Sequence, residues 1–334
     1  MITFLKGFLI GLANIIPGVS GGTLALILGI YKRVIDALHN IGLPLVGAVF
    51  AALTLRKDAW RRLGAELQRI DAVFLGVLGL GAVAAVAATS RLMEYLLEHQ
   101  HAPAYAFFFG LVLASMMFPY RYLRRRSVRE LIGFALAAVL TVSLTFMVDE
   151  EEQIAKVRAK QDIERLEAGD AGEGGVVRLE RPDAARLGFI GLSAALAISA
   201  MVLPGISGSF VLLLLGVYFD VLQAVNDRQV IVLGVFCIGI LGGLLIFSRI
   251  MSFLLSRLYN VTMAFMIGLM AGSLWVLWPF KRVVAVGTEK VYLGNVWPAA
   301  LGAPELIAVG AGILGAGIVL ASYLVGRRQG FEEV

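Results

Sequence analysis

The stretch Asn14-Ile15-Ile16-Pro17-Gly18-Val19-Ser20-Gly21-Gly22-Thr23 has a second copy, Met201-Val202-Leu203-Pro204-Gly205-Ile206-Ser207-Gly208-Ser209-Phe210. The copies are 187 residues apart (204 − 17), and the same offset maps Ser20 to Ser207 and Tyr31 to Tyr218. A Pro-Gly pair interrupts a helix, because proline lacks an N–H group and glycine loses much backbone entropy on folding. Each copy lies between apolar segments, and Ser20 or Ser207 is placed to cap the helix that follows. The stretch therefore predicts helix, polar break and helix, twice.

These two motifs, Pro17–Thr23 near the start and Leu203–Ser209 in mid-chain, resemble those of the DUF368 family of bacterial and archaeal membrane proteins. The resemblance runs over most of the chain, with an acidic insert near 149–186 and a polar loop near 281–304 that fit less well. Members of that family are implicated in moving undecaprenyl phosphate, the lipid carrier of cell-wall synthesis. The resemblance implies a translocase that recycles this or a related polyprenyl phosphate from the outer to the inner leaflet of a prokaryotic cytoplasmic membrane.

The composition independently indicates a membrane protein. Of the 334 residues, 59% are hydrophobic and only 16% are charged, whereas a soluble domain carries about a quarter charged residues. The net charge of +5 is no sign of nucleic-acid binding, since the basic residues cluster beside apolar spans, where they set orientation. The single cysteine, Cys237, excludes an intrachain disulfide.

Apolar runs divide the chain into two halves joined by a charged linker. The first half, 1–148, is predicted to hold a hairpin, an interfacial segment and three spans, at 3–38, 41–70, 71–97, 105–119 and 131–148. The second half, 187–334, is predicted to hold a hairpin and three spans, at 187–225, 230–255, 262–279 and 305–326. The linker, 149–186, has eleven acidic and seven basic residues. Alternating residues around a Gly-Thr turn predict a small β-hairpin over 283–293, while the sequence leaves open whether 41–55 enters the membrane.

The two hairpins are predicted to enter the membrane from opposite sides. Each arm of the first has about a dozen apolar residues, roughly 18 Å, so the hairpin is predicted to be re-entrant with its break near mid-membrane. Three spans separate the hairpins, and an odd number inverts the second half. The predicted fold is an all-α polytopic membrane protein of two inverted-topology repeats, each a re-entrant helical hairpin followed by three transmembrane helices. The positive-inside rule places both termini in the cytoplasm and the acidic linker outside.

Two helix N-termini that meet near the midplane form a candidate anion site. Free N–H groups and the positive end of the helix dipole attract phosphate, glycines let an oxygen approach the backbone, and hydroxyls add donors. The candidate substrate-binding residues of the breaks are Pro17, Gly18, Ser20, Gly21, Gly22, Thr23, Pro204, Gly205, Ser207, Gly208 and Ser209. The competing interpretation is that these small residues only permit close helix packing.

Arg91 and Arg249 complete the candidate site. A second offset of 158 residues (249 − 91) maps Ser90-Arg91 onto Ser248-Arg249. An arginine within a span is costly and usually faces a polar interior, and its guanidinium matches phosphate in a bidentate way. The competing interpretation is that each side chain reaches the membrane surface from near the end of its span.

Two other functions stay open at this point. An ion-coupled carrier or channel for a small soluble anion would use the same paired helix N-termini, and an intramembrane lipid phosphatase would act on a similar substrate. Against the enzyme, no histidine or paired carboxylates lie beside the breaks; His99 and His101, predicted to be exposed in an outer loop, lack a third metal ligand. The sequence predicts a transporter without catalytic residues, metal or cofactor, whose partners are polyprenyl phosphate and membrane lipids. A coupling ion, H⁺ or Na⁺, and a homodimer are compatible with the pattern.

Overall fold

The structure is a computed structural model that describes residues 1–15, 21–52, 54, 56–123, 127–146, 183–286, 289–298, 300 and 302–328. Three predicted site residues, Pro17, Gly18 and Ser20, lie outside the described residues. The predicted linker also lies outside them except for 183–186, as does the end of the chain after Arg328.

The described part of the first half is helical throughout. Its helices are α1 (Ile2–Ile15), α2 (Gly21–Ile27), α3 (Tyr31–His39), α4 (Leu43–Ala52), α5 (Lys57–Arg69), α6 (Ala72–His99), α7 (His101–Ser115), α8 (Met117–Tyr122) and α9 (Val128–Phe146). The second half adds one two-stranded sheet. Its elements are α10 (Ala184–Val202), α11 (Gly208–Leu214), α12 (Tyr218–Asn226), α13 (Val230–Arg257), α14 (Tyr259–Val276), β1 (Lys281–Val286), β2 (Glu289–Asn295) and α15 (Ala303–Arg328).

The two halves share the lengths and spacing of their first elements. Helices α2 and α11 both have seven residues, α3 and α12 both have nine, and α6 and α13 both have 28. Gly29 and Gly216 end the two seven-residue helices with φ of 67° and 64°, a left-handed conformation that glycine adopts without steric cost. Because Gly29 stops α2 so early, the returning arm of the first hairpin is shorter than the dozen residues predicted.

Both breaks are flanked by antiparallel helices. In the first hairpin, Lys6 near the start of α1 donates to the Leu28 carbonyl at the end of α2, with a distance of 2.9 Å. In the second, Arg186 near the start of α10 donates to the Gly216 carbonyl just after α11, at 2.8 Å. A basic side chain at a helix C-terminus interacts favourably with the helix dipole. At the base of each hairpin, one basic side chain therefore bonds a carbonyl at the end of the returning helix.

The second hairpin begins earlier than predicted. Asp183 caps α10, and its carboxylate accepts from the backbone N–H of Arg186 at 2.7 Å. The helix therefore starts at Ala184 rather than 187 and has 19 residues. That length exceeds the roughly 18 residues that a membrane crossing needs at minimum.

Six described helical segments are long and apolar enough to cross a membrane, one of them made of α7 and α8 together. Their apolar segments are Ala72–Thr89, His101–Tyr122, Ala184–Val202, Val230–Arg257, Tyr259–Val276 and Ala303–Ala321. Five of these correspond to predicted spans. The sixth is α10, which was predicted as a hairpin arm, while α9, predicted as the span 131–148, is not among the six.

Spans of one half pack against spans of the other. Gly110 of α7 approaches the Gly312 carbonyl of α15, and Gly268 of α14 approaches the Phe134 carbonyl of α9 so closely that no side chain would fit at either glycine. Small residues allow this approach of backbones, which is how helices associate where lipid removes the hydrophobic driving force. The halves are thus interlocked rather than separate bodies.

Helix α13 contacts the bases of both hairpins, at its two ends. Near its end, Met251 and Leu255 belong to one buried cluster with Ile35 of α3. Near its start, Val232 belongs to another with Ala224 of α12. Val232 and Leu255 are 23 positions apart (255 − 232), about 35 Å of helix, which exceeds the roughly 30 Å of a hydrocarbon core.

The predicted β-hairpin is confirmed, and it corrects the prediction for His101. Strands β1 and β2 are antiparallel with Val283 opposite Tyr292. The Tyr292 ring stacks on His101 at 3.6 Å between centroids, and Tyr105 stacks on the same imidazole at 4.0 Å. His101 is 7% exposed, so the expectation of an exposed loop histidine was wrong. The β-hairpin, far away in sequence, folds over the start of α7.

The predicted interfacial segment, 41–70, forms two short helices, α4 and α5. On α5, Ala59 is buried while Arg61 and Arg62 are exposed. This arrangement of one buried and one basic face is typical of helices that lie along a membrane surface.

Candidate functional site

The start of α2, just after the first break, touches the residues that lead into the second. At Gly22, the second residue of α2, a Cβ atom would lie 3.1 Å from the carbonyl carbon of Val202 and 3.3 Å from that of Leu203. The carbonyl oxygen of Val202 is closer still. These residues end α10 and lead into Pro204, so the start of α2 lies directly against the second break. No residue other than glycine at position 22 could keep this contact.

Asn14 forms a hydrogen bond across the first break. Its side-chain oxygen accepts a hydrogen bond from the backbone N–H of Gly21 at 2.8 Å, so the first free donor of α2 is satisfied from within the hairpin. A Cβ on Gly21 would lie 2.7 Å from that same oxygen. Thr23 follows in the same turn and is 1% exposed. No role for Asn14 was predicted from the sequence, although an asparagine in an otherwise apolar helix is itself a signal.

The second break owes its shape to Pro204 and Gly205. Pro204 is fully buried. Gly205 has φ of 87°, and a Cβ there would lie 2.6 Å from the Leu269 carbonyl oxygen of α14. Both the left-handed backbone and the close approach require glycine. At Gly208, the first residue of α11, an added Cβ would lie 2.9 Å from the Ala197 carbonyl oxygen, so close packing requires glycine there as well.

Ser207 occupies the predicted N-cap position of α11, but its side chain does not cap the helix. Its hydroxyl instead pairs with the hydroxyl of Ser209 at 2.9 Å. The predicted capping bond was therefore wrong, because a neighbouring hydroxyl two residues on competes for the same oxygen. The two hydroxyls stand together at the start of α11, where Ser209 is exposed and Ser207 is half-buried.

Arg249 lies at the surface of α13 and reaches the first half of the chain. Its guanidinium donates to the Leu245 carbonyl at 3.1 Å and to the Ile41 carbonyl, just after α3, at 3.3 Å. These contacts use two of the five N–H donors of a guanidinium. Arg91, its counterpart at the 158-residue offset, lies within α6, and its side chain is outside the described part of the structure.

The carboxylates near the hairpins are paired with cations. Asp220 of α12 accepts from Nε of Arg186 at 2.9 Å, and Asp36 of α3 accepts from Lys32 at 2.5 Å. Among the described residues, no group of three or more His, Cys, Asp or Glu side chains could hold a metal ion.

Comparison with known proteins gives one family and two close relatives. A family model described as VCA0040-like, undecaprenyl phosphate translocase-like, matches residues 10–292. A Vibrio cholerae protein named polyprenyl-phosphate transporter is 32% identical over 285 residues, which cover 85% of this chain and 79% of that protein. A Staphylococcus aureus protein with the same name is 28% identical over 291 residues, covering 83% and 86% respectively. No solved structure matches the chain.

Proposed function

The chain belongs to the undecaprenyl phosphate translocase-like family, as its two motifs predicted, and from this we propose that it recycles a polyprenyl phosphate from the outer to the inner leaflet of a prokaryotic cytoplasmic membrane. The names of both relatives support a polyprenyl phosphate as substrate. The structural observation that carries the proposal is the contact between the two breaks, Gly22 against Val202. A transporter of this kind needs one site that both membrane faces can reach in turn.

The hairpins enter the bilayer from opposite faces and meet at its middle. Their bases lie at opposite ends of α13, as the clusters around Leu255 and Val232 support. The second tip lies between these ends, since the Ser199 hydroxyl of α10 approaches the Gly243 carbonyl at 3.5 Å and Val202 and Leu203 pack against the cluster that holds Met251. Two inverted hairpins with touching tips are the arrangement from which alternating access follows.

The phosphate head group binds at the breaks. A phosphate in low dielectric needs hydrogen-bond donors around it, because an isolated charge is very costly there. The hydroxyls of Ser207 and Ser209 and the first backbone N–H groups of α11 supply donors in the second break. In the first break, Gly22 and Thr23 of α2 are the proposed phosphate-binding residues. The sequence adds Pro17, Gly18 and Ser20 to the same site as further proposed ligands or backbone supports.

Arg91 and Arg249 receive the phosphate on its way in and out. Arg249 lies beside the base of the first hairpin, as its bond to Ile41 supports. The repeat offset predicts that Arg91 lies beside the base of the second. Each arginine thus provides a cation on one side of the central site, and a guanidinium matches a phosphate better than an ammonium does. Both termini lie in the cytoplasm, which puts the Arg249 end of the path there as well.

Binding measurements on the purified protein in lipid nanodiscs test the proposal. A short-chain polyprenyl phosphate should bind, the corresponding polyprenol without phosphate should not, and inorganic phosphate in moderate excess should not displace the lipid. Equal competition by inorganic phosphate would identify a carrier of a soluble anion instead. Release of inorganic phosphate from the lipid would identify a phosphatase.

A further inference from the structure

A cavity of about 320 Å³ lies beside the last turns of α14, away from the breaks. Its walls are mainly aromatic, and we call it the aromatic cavity. It is lined by Phe109, Leu274, Trp275, Trp278, Asn295 and Trp297, among others. The Trp278 ring packs edge-to-face against two other rings of the wall. Its centroid is 4.7 Å from that of Trp297 and 6.0 Å from that of Phe109.

Two polar side chains of the aromatic cavity are already bonded to the protein. The indole N–H of Trp278 donates to the Val296 carbonyl at 2.9 Å. The Asn295 side chain donates to the Trp275 carbonyl at 2.9 Å, and its oxygen accepts from Lys281 at 2.5 Å. None of the described residues that line the cavity is charged. It therefore presents ring faces and aliphatic groups, which suit an apolar ligand and not a phosphate.

The aromatic cavity and the second break share one helix. The Leu269 carbonyl of α14 contacts Gly205 in the break, and Trp275 in the cavity wall follows six residues later on the same helix, about 9 Å along its axis. Trp297 at the cavity is 82% exposed, so the cavity opens to the outside of the protein. A lipid whose head group occupies the breaks is anchored within reach of it.

We propose that the aromatic cavity binds an isoprenoid segment of the substrate's tail. This inference rests on the proposed function, since it takes the substrate to be a polyprenyl phosphate. Lipid chains are as apolar as the cavity, so the hydrophobic effect gives no preference for entering it. What the cavity provides is shape: rigid ring faces against the methyl branches and planar double bonds of an isoprenoid, which a straight alkyl chain lacks. The cavity thus selects the type of chain, while the breaks select the head group.

Tryptophan fluorescence gives a direct readout, because three of the four tryptophans line the cavity. In a Trp60→Phe background every tryptophan reports on it. Farnesyl phosphate and dodecyl phosphate have equal head groups and main chains of equal length, so the head-group site contributes equally to both. The full-length protein in nanodiscs should bind farnesyl phosphate about tenfold more tightly, the factor that a few well-placed carbon contacts give. Only farnesyl phosphate should shift the tryptophan emission strongly.

Filling the cavity should remove that preference. Ala271→Phe places a ring among the lining residues and should bring the affinity ratio close to one, while Ala135→Phe on the exposed face of α9 should leave it unchanged. Trp297→Ala, at a position that is 82% exposed, should also lower the ratio. Equal binding of both phosphates by the parent protein, or an unchanged ratio in both cavity variants, would overturn the tail site alone. Binding of neither phosphate by the parent would overturn the proposed function, and this inference with it.

Discussion

Gly22→Ala should separate the two breaks. The added Cβ would lie 3.1 Å from the Val202 carbonyl carbon and 3.3 Å from that of Leu203, whereas carbon atoms pack best at about 3.5–4.0 Å. The neighbours are backbone atoms, which cannot rotate away as a flexible side chain can. The tips must therefore move apart by roughly half an ångström or more, and overpacking of this kind costs about 1–3 kcal/mol.

The assay compares transport in proteoliposomes with thermal stability in detergent, on the same protein preparation. Gly22→Ala should lower the thermal stability of the protein in detergent and reduce transport of a polyprenyl phosphate by about tenfold or more, since small misplacements at a reacting or binding centre have large effects. Gly76→Ala on α6 is the matched control, because a Cβ there has no neighbour within 4 Å and alanine favours a helix. If the two variants transport and unfold alike, the breaks do not meet at Gly22 and the central site is wrongly placed.

Three further predictions concern topology, the arginine and pH. His39→Cys and Arg228→Cys, each in a Cys237→Ala background, should react with an impermeant thiol reagent from opposite sides of the membrane; labelling from one side would refute the inverted hairpins. Arg249→Lys should keep partial transport and Arg249→Ala should lose far more, because lysine retains the charge without the planar fork, and normal transport by both would remove Arg249 from the path. Burial lowers the pKa of Lys281 from 10.5 to about 8. Between these pH values the Lys281 side chain is neutral in the folded protein but still protonated in the unfolded chain, so the free energy of unfolding should rise with pH. The difference in unfolding temperature between the parent and Lys281→Met should be flat below pH 8 and change above it; a flat difference throughout would contradict the shift.

The starts of α2 and α11 were predictable because their signals are local. Pro-Gly pairs, a glycine that ends a helix and a constant offset are read from a few adjacent residues, and α2 and α11 begin at Gly21 and Gly208 as the motifs place them. The small β-hairpin was predictable for the same reason. Its alternation and turn lie within a dozen residues.

The rest depends on contacts between distant segments. Ser207 was a sound N-cap candidate by type and position, but its hydroxyl pairs with Ser209. His101 lies at the start of a helix and would be exposed there without Tyr292, which stacks on it from the β-hairpin. Asn14 bonds Gly21 across the break, a role that depends on how the chain turns. No sequence pattern encodes which side chain from another element covers a given position.

The most direct test is movement of the lipid itself. Proteoliposomes with a fluorescent short-chain polyprenyl phosphate in the outer leaflet should show protein-dependent transfer to the inner leaflet, measured as protection from an impermeant quencher. The account predicts transfer by the parent protein and by Gly76→Ala, little by Gly22→Ala, and none of the corresponding polyprenol above the rate in empty liposomes. Transfer of the phosphate by the parent at the rate of empty liposomes, or at an equal rate by Gly22→Ala, would contradict it.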